Sequence, residues 1–590
     1  MSGANLAMNP ASCLSGVSLG LTGGMTRKCS ATWTTKGHPS RAKPQVHAAG
    51  LPSRTATTAR DNSRYPARVN ANGAASSSTT GRQLSELLGS LSLATEAAAG
   101  VPPETSIRAA VVSLALSRAL GLPDEDCASA CLTSLLRYIG CTAYASETAW
   151  YGGGDDISLL GDLTPIDSGR PLSALSLIVR KAGHRNPPAS RARSVARILA
   201  APALPNTLAS THCAQAVALT ESLGLSPLVS SALGDIYERW DGRGGPAKKK
   251  GHQISHVAQV VRTALLAVIH GAIEGPAAGV AVVQARAGGE VDPDVAAIFH
   301  RHAATLLRDV MTTSAWDTFV GSAPPLPSAG SSIDVPAIAL SFARCVDLKS
   351  PWTLTHSSGV AGLCRGALER AGAPRTECDD GYVAGLLHDL GRLSVPNGIW
   401  DKKSSLNSVE WQRVRSHAAA SEAVVARSAL LARFAPAIGA HHERLDGSGY
   451  PRQTTGGSHS RLALTLAAAD TFHAVMEERP HRKGRTADEA ATLMRDEVRA
   501  GRLDGAAADA VCAAAGVHKP GLRGELPMGL SEREVDVLRL MARGFSNKEI
   551  GSALFISDRT AGNHIAHIFE KTGIKSRAAA ALFAVTRGLA

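Results

Sequence analysis

Along one stretch of this chain His356, the pair His388-Asp389, His417, the pair His441-His442 and Asp470 follow one another on helix-like segments. Imidazole and carboxylate are the ligands that borderline divalent metals prefer. An adjacent His-Asp pair on a helix lets the carboxylate bridge two ions while the imidazole binds one. His441-His442 can then give one ligand to the second ion and another group to the substrate side. Two ions about 4 Å apart depress the pKa of water and clamp a phosphodiester. Any one of these histidines alone would be read as a surface or satisfied core residue; the ordered set is what points to metal. His441 also opens the segment HHERLDGSGYP, His441–Pro451. There Gly447 and Gly449 permit positive φ, which would let backbone N–H groups approach a phosphate. Tyr450 is placed to face substrate or a partner protein.

Helices must carry these groups. The chain has 590 residues, a soft prior for three or four domains, and 44% hydrophobic residues, enough to bury real cores. Aromatics are only 4% against abundant Ala and Gly, which favours close-packed helices and an all-α fold. A net charge of +12 fits a polyanionic partner such as nucleic acid. The 10 cysteines are scattered with no C-x-x-C pair and read as reduced, buried thiols of a cytoplasmic protein. No apolar run reaches the roughly 18 residues of a membrane span. Ala264–Ala285 comes nearest and is interrupted by His270, Glu274 and Pro276, so no membrane partner is expected.

Residues 1–60 contain no Asp or Glu and are rich in Ser, Thr, Ala, Gly and Arg. That composition suits an organellar transit peptide or a disordered basic tail; the tail reading, over 1–80, is preferred. Helical patterning over 81–321 and again over 337–516 is separated by a Pro/Ser/Gly-rich linker at 322–336. A second linker, 517–529, precedes a compact unit at 530–590.

The two long regions look like repeats. ERWDGRGGP at Glu238–Pro246 matches ERLDGSGYP at Glu443–Pro451, and LLRYIGC at Leu135–Cys141 matches LLHDLGR at Leu386–Arg392. His212 precedes Ile236 by 236 − 212 = 24 residues, as His417 precedes His441 by 441 − 417 = 24. In the first copy Arg137-Tyr138, Ile236-Tyr237 and Leu265 stand where the second has His388-Asp389, His441-His442 and Asp470. Only His212 survives, so the first copy should not bind metal. It serves as a sensory, regulatory or dimerising half, or as scaffold alone.

The ordered set in the second copy resembles the HD hydrolase superfamily, and HHERLDGSGYP makes it similar to the HD-GYP branch, whose members cleave cyclic di-GMP. The resemblance covers roughly 337–516. It implies two divalent ions, iron or manganese, on His356, His388, Asp389, His417, His441, His442 and Asp470. It implies a cyclic dinucleotide or other phosphodiester as substrate, with Asp389 and Arg392 catalytic and Arg392, Gly447, Gly449 and Tyr450 against substrate. Arg392 stands where the family has Lys; it can grip a phosphate bidentately but stays charged. Trp352, four residues before His356, stands where some members place a Glu for a third ion. Ala418 replaces the family's Pro after His417, and the loop RQTTGGSHSR lacks the usual Gly-Leu-x-Gly pattern. Two readings stay open: a phosphodiesterase, or a site that only senses its nucleotide.

The segment Leu530–Leu589 carries apolar residues at helical spacing, broken at Gly544 and at Ile556-Ser557. This fits a helix-turn-helix with Ser557 capping a recognition helix from about Asp558 to Thr572. LSEREVDVL, the Gly544–Ile550 run and S-x-R-T-x-x-N-H over Ser557–His564 closely resemble the LuxR-type DNA-binding domain. The resemblance implies double-stranded DNA as partner. Arg559, Asn563 and His567 would reach base edges; Asn547, Lys548, Thr560 and Lys571 would hold phosphates, with Ser557 and His564 in the same interface. A single unit has little area to bind DNA tightly, so a homodimer is expected.

Overall fold

The computed structural model describes residues 71–324, 333–455, 458–517, 527–542, 544–574 and 576–586. The expected linkers therefore lie partly, and the N-terminal tail mostly, outside the described residues. The tail boundary shifts, because the first helix already begins at Ala71. Among the described residues there are only helices, turns and three isolated β-bridges, an all-α arrangement.

The first region contains α1 (Ala71–Ala99), α2 (Thr105–Ala119), α3 (Asp124–Leu136), α4 (Leu204–Ser222), α5 (Pro227–Gly234), α6 (His256–Glu274), α7 (Pro276–Arg286) and α8 (Pro293–Thr312). The second contains α9 (Val335–Asp347), α10 (His356–Arg370), α11 (Arg375–Leu387), α12 (Ser408–Val425), α13 (Ala435–Gly439), α14 (Arg461–Met476), α15 (Ala487–Arg499) and α16 (Gly505–Ala514). The pairings run in parallel. α2 packs on α3, α6 and α8 as α10 packs on α11, α14 and α16; α4 packs on α5 as α12 packs on α13. Four short helices between Ala145 and Leu199 enlarge the connection from α3 to α4.

Local signals explain the helix starts that matter. Asn407 and Glu410 form a capping box at α12, and Ser460 caps α14 through Ala463 N–H. Asp347 accepts from Ser357 N–H and its hydroxyl, fixing the first turn of α10 beside His356. Gly391 lets the turn after Asp389 press on α12, since a Cβ there would lie 2.1 Å from the His417 carbonyl oxygen.

α6 is long and apolar enough to cross a membrane by length and composition, contrary to the reading of its sequence. His270 and Glu274 lie within it. Most of it is buried against α2, α3, α7 and α8, the position of a core helix. The eight described cysteines are all buried and unpaired.

One apolar core runs through both regions, from Leu87 to Cys512. A polar knot crosses between them. Lys349 Nζ lies 2.9 Å from Asp156 Oδ2, both groups buried, and Asn397 N–H donates to Asp156 Oδ1 at 2.8 Å. Removing one member of such a pair leaves an uncompensated buried charge. Asp156→Ala should destabilise the full chain by about 3–5 kcal/mol in a denaturant titration, whereas the double substitution with Lys349→Met should recover most of that loss.

Candidate metal centre and nucleic-acid interface

Five elements converge on one buried point. His356 opens α10, His388-Asp389 closes α11, His417 sits within α12, His441-His442 follows α13, and Asp470 lies on α14. All seven residues expected from the sequence are brought together. His388 Nδ1 is 2.8 Å from the Gly385 carbonyl, His417 Nδ1 2.5 Å from that of Val414, and His441 Nδ1 2.5 Å from that of Ile438. A carbonyl only accepts, so each Nδ1 carries the hydrogen. Each Nε2 is then a bare lone pair facing inward.

His417 Nε2 and His441 Nε2 lie 3.2 Å apart, and His388 Nε2 is buried with no hydrogen-bond partner among the described residues. Two facing lone pairs repel unless a cation lies between them. Asp389 divides its oxygens: Oδ1 is 3.4 Å from His417 Nε2 and 4.0 Å from His441 Nε2, while Oδ2 is 3.5 Å from His356 Nε2 and 3.6 Å from His388 Nε2. Asp470 Oδ1 joins the His356 and His388 side at 3.3 and 3.8 Å, and its Oδ2 lies 3.6 Å from His442 Nδ1. Donor atoms of His356, His388 and Asp470 form one ligand-competent group, and those of His417, His441 and His442 another. The donor set fits a divalent metal site.

The electrostatics agree. Burial works to raise the Asp389 carboxyl, but Arg392 and the imidazoles outweigh it and hold it well below the usual carboxylate range. Asp470 is held down in the same way, by His356 and the neighbouring imidazoles. Burial, then His388 and His417, push His441 down to about 3, and burial and His441 push His442 well down. His356 is the exception. Burial lowers it, but hydrogen bonds to Asp470 and Glu477 prevail and raise it to about 10.

Several neighbours depart from expectation. One N–H of Arg392 is committed to Asp389 Oδ2 at 2.8 Å, and its guanidinium lies over Trp400 at 4.3 Å. It orients the shared carboxylate. Gly447 has φ of 78°, but Gly449 does not enter the left-handed region. Gly449 is needed for space, since a Cβ would lie 2.4 Å from Arg444 N. The N–H groups of Gly447, Ser448 and Tyr450 donate to Arg444 O, Asp446 Oδ1 and His442 O, so these three are engaged within the turn. Tyr450 stacks on His442 with ring centroids 4.7 Å apart.

Glu477, His473 and Arg479 escaped the sequence reading. Glu477 Oε2 accepts from His356 Nδ1 at 3.0 Å and from Arg479 at 2.5 Å, while His473 Nδ1 lies 3.5 Å from Oε1. His356 thus takes a carboxylate where the other three imidazoles take a carbonyl. Such outer partners fix ring orientation and raise ligand basicity. The available signal was the helical spacing of Asp470, His473 and Glu477, which puts them on one face of α14 and its end.

In the C-terminal unit α17 (Glu532–Ala542), α18 (Asn547–Leu554), α19 (Asp558–Thr572) and α20 (Arg577–Thr586) close over Val535, Leu538, Met541, Ile550, Ile565 and Ile568. Ser557 caps α19 by accepting from Thr560 N–H at 3.0 Å. Ala561, Ile565 and Ile568 face inward, which leaves Arg559, Asn563 and His567 exposed at i, i+4 and i+8. Thr560 and His564 are half-buried beside them, and Lys548 is exposed. Asn547 bonds Arg577. Lys571, expected at a phosphate, is instead tied to Glu534 at 2.7 Å and to Gly529 O at 3.0 Å.

Comparison with known proteins decides the families. The HD domain model matches residues 341–507, and the model of the luxR family of bacterial regulatory proteins matches 528–584. The chain joins an HD domain to a LuxR-family domain. Over 424 residues it is 28% identical to a 3'3'-cGAMP-specific phosphodiesterase 3 of Vibrio cholerae, covering 70% of this chain and 91% of that protein. That span extends well upstream of the HD match. Over 195 residues it is 31% identical to a cyclic di-GMP phosphodiesterase of Pseudomonas aeruginosa, covering 32% of this chain and 46% of that one. The crystal structure of a cyclic GMP-AMP specific phosphodiesterase of V. cholerae shares the fold, with a TM-score of 0.51 at 24% identity over 74% of this chain and 98% of that one.

Two outcomes follow. Glu477→Gln should weaken metal binding by about 10–100-fold in a direct titration of the HD domain's metal, with the helical content unchanged. Arg559→Ala in the LuxR-family domain should weaken DNA binding by about 1–3 kcal/mol, while Lys571→Ala should leave the salt slope of binding unchanged and lower the thermal midpoint.

Proposed function

We propose that the HD domain is a two-metal phosphodiesterase for a cyclic dinucleotide and that the LuxR-family domain, bound to DNA as a homodimer, reads the nucleotide level out as transcription. The observation that carries the hydrolytic reading is the division of Asp389, one oxygen toward His417 and His441 and the other toward His356 and His388. His356, His388 and Asp470 would hold one ion and His417, His441 and His442 the other, with iron or manganese suiting this nitrogen-rich set. When bound, the ions supply Lewis acidity toward a phosphodiester and lower the pKa of water. The chain's own part is orientation. Arg392 fixes Asp389, Glu477 fixes His356, and Tyr450 backs the His442 ring. The relatives from V. cholerae and P. aeruginosa support a 3'3'-linked cyclic dinucleotide as the substrate class. A protein of this kind works in the cytoplasm.

The first region is, on this reading, a duplicated copy that has lost the metal. Glu238 accepts from Ala247 N–H as Glu443 accepts from Arg452 N–H, each at 2.6 Å. Gly140 presses on the His212 carbonyl as Gly391 presses on that of His417. At the degenerate centre Arg137 lies 3.2 Å from His212 Nε2 and 3.3 Å from the Tyr237 hydroxyl. A fixed guanidinium stands where the other copy gathers ligands.

Full-length protein loaded with iron or manganese should convert 3'3'-cGAMP or cyclic di-GMP to the linear dinucleotide or mononucleotides. Asp389→Ala should lower the rate by more than about 100-fold, beyond the effect of outer-shell changes. Tight nucleotide binding with no turnover under either metal would establish the sensing role instead.

A further inference from the structure

The first region has gained something in place of its metal. A cavity of about 280 Å³ opens between α5, α6 and the loop before α8, lined by Trp240, Lys249, His252, Gln259 and Asp292 among others. The second region has its counterpart at a constant offset: 417 − 212 = 205, and 464 − 259, 445 − 240 and 440 − 235 give the same value. There the residues are Leu464, Leu445 and Ala440, and only about 10 Å³ remains. In the first region these positions are Gln259, Trp240 and Asp235, and the space is open.

Gln259 is the informative residue. It is 2% exposed, and among the described residues neither its amide nitrogen nor its oxygen has a hydrogen-bond partner. Buried amides are nearly always paired, and leaving both atoms bare is costly. The carboxylates nearby do not use it. Asp235 is held by Lys249 at 2.7 Å and by Ser255 N–H at 2.9 Å, and Asp292 accepts from Asp294 N–H at 2.8 Å and from Val295 N–H at 3.3 Å. Trp240 braces the wall edge-on against His252, centroids 5.0 Å apart. A carboxamide offers a donor and an acceptor side by side, which complements the N6/N7 edge of adenine. The indole supplies an aromatic surface for the same planar ring. Lys249 lines the cavity within the basic run Lys248–Lys250, whose outer two residues are exposed, and this run favours a phosphorylated ligand. The volume lies at the lower end of small-molecule sites and suits a mononucleotide.

We propose that this cavity is a binding site for an adenine mononucleotide, with Gln259 reading the base and Trp240 supporting it. The site stands apart from the metal centre and does not depend on hydrolysis there. Calorimetric titration of the full chain with AMP, adenosine, GMP and inorganic phosphate tests it. AMP should bind and raise the melting temperature, adenosine should bind more weakly, and GMP should bind at least about ten-fold more weakly than AMP. Gln259→Leu, which installs the residue of the second region, should cut AMP affinity by at least about ten-fold and hold or raise the melting temperature of the free protein. Trp240→Leu provides a second variant should the first fail to fold, with the same expected loss. His441→Ala, which alters the metal centre, should bind AMP as the wild type does. The proposal falls if AMP does not bind, if both cavity variants bind it normally, if inorganic phosphate alone binds as tightly, or if His441→Ala abolishes binding.

Discussion

The structure of the second region turns on the direction of three imidazole lone pairs. Three carbonyls, each three residues upstream of its histidine, claim the Nδ1 hydrogens of His388, His417 and His441, and Glu477 claims that of His356. Once those bonds are made, the Nε2 atoms have nowhere to point except at one another and at two aspartates. Positive charge must come from somewhere, and Arg392 on Asp389 supplies only part of it. The helix ends, the Gly391 crossing and the two buried carboxylates together bring these lone pairs close to one another.

The first region carries a different set of contacts at the matching sequence positions. Arg137 stands where the motif match puts His388, and its guanidinium lies over the Tyr237 ring at 4.4 Å. His212 keeps its place but bonds the Arg137 carbonyl at 2.9 Å. It is a packing residue there. At the matching positions around the α5–α6 junction, Gln259, Trp240 and Asp235 stand where the second region has Leu464, Leu445 and Ala440.

Much of the centre was legible in the sequence because metal binding constrains residue type and order together. His, His-Asp, His, His-His and Asp at those intervals have few other purposes, and all seven meet. The recognition helix was legible for the same reason: Ser557 and the apolar spacing of Ala561, Ile565 and Ile568 fix both its start and its exposed face. What could not be read were partnerships made in space. Lys571 and Glu534 are 571 − 534 = 37 residues apart, and nothing in either position reveals the pair. Glu477 is an ordinary surface-type residue until α10 meets α14. Gly449 read as a conformational glycine and is a steric one. The buried length of α6 looked interrupted by charge because helical geometry lets His270 bond Glu274 at one end while the rest stays dry.

The knot of Lys349, Asp156 and Asn397 bears on how the chain can be handled. Ser90 hydroxyl also donates to the Val424 carbonyl at 2.5 Å, and Glu86 accepts from Ala429 N–H at 2.5 Å. Excising the HD domain at the 322–336 segment would leave a desolvated ammonium without its counter-ion and bare a face that helix α1 covers. The sequence boundary between the two regions is therefore not a seam at which the molecule can be taken apart.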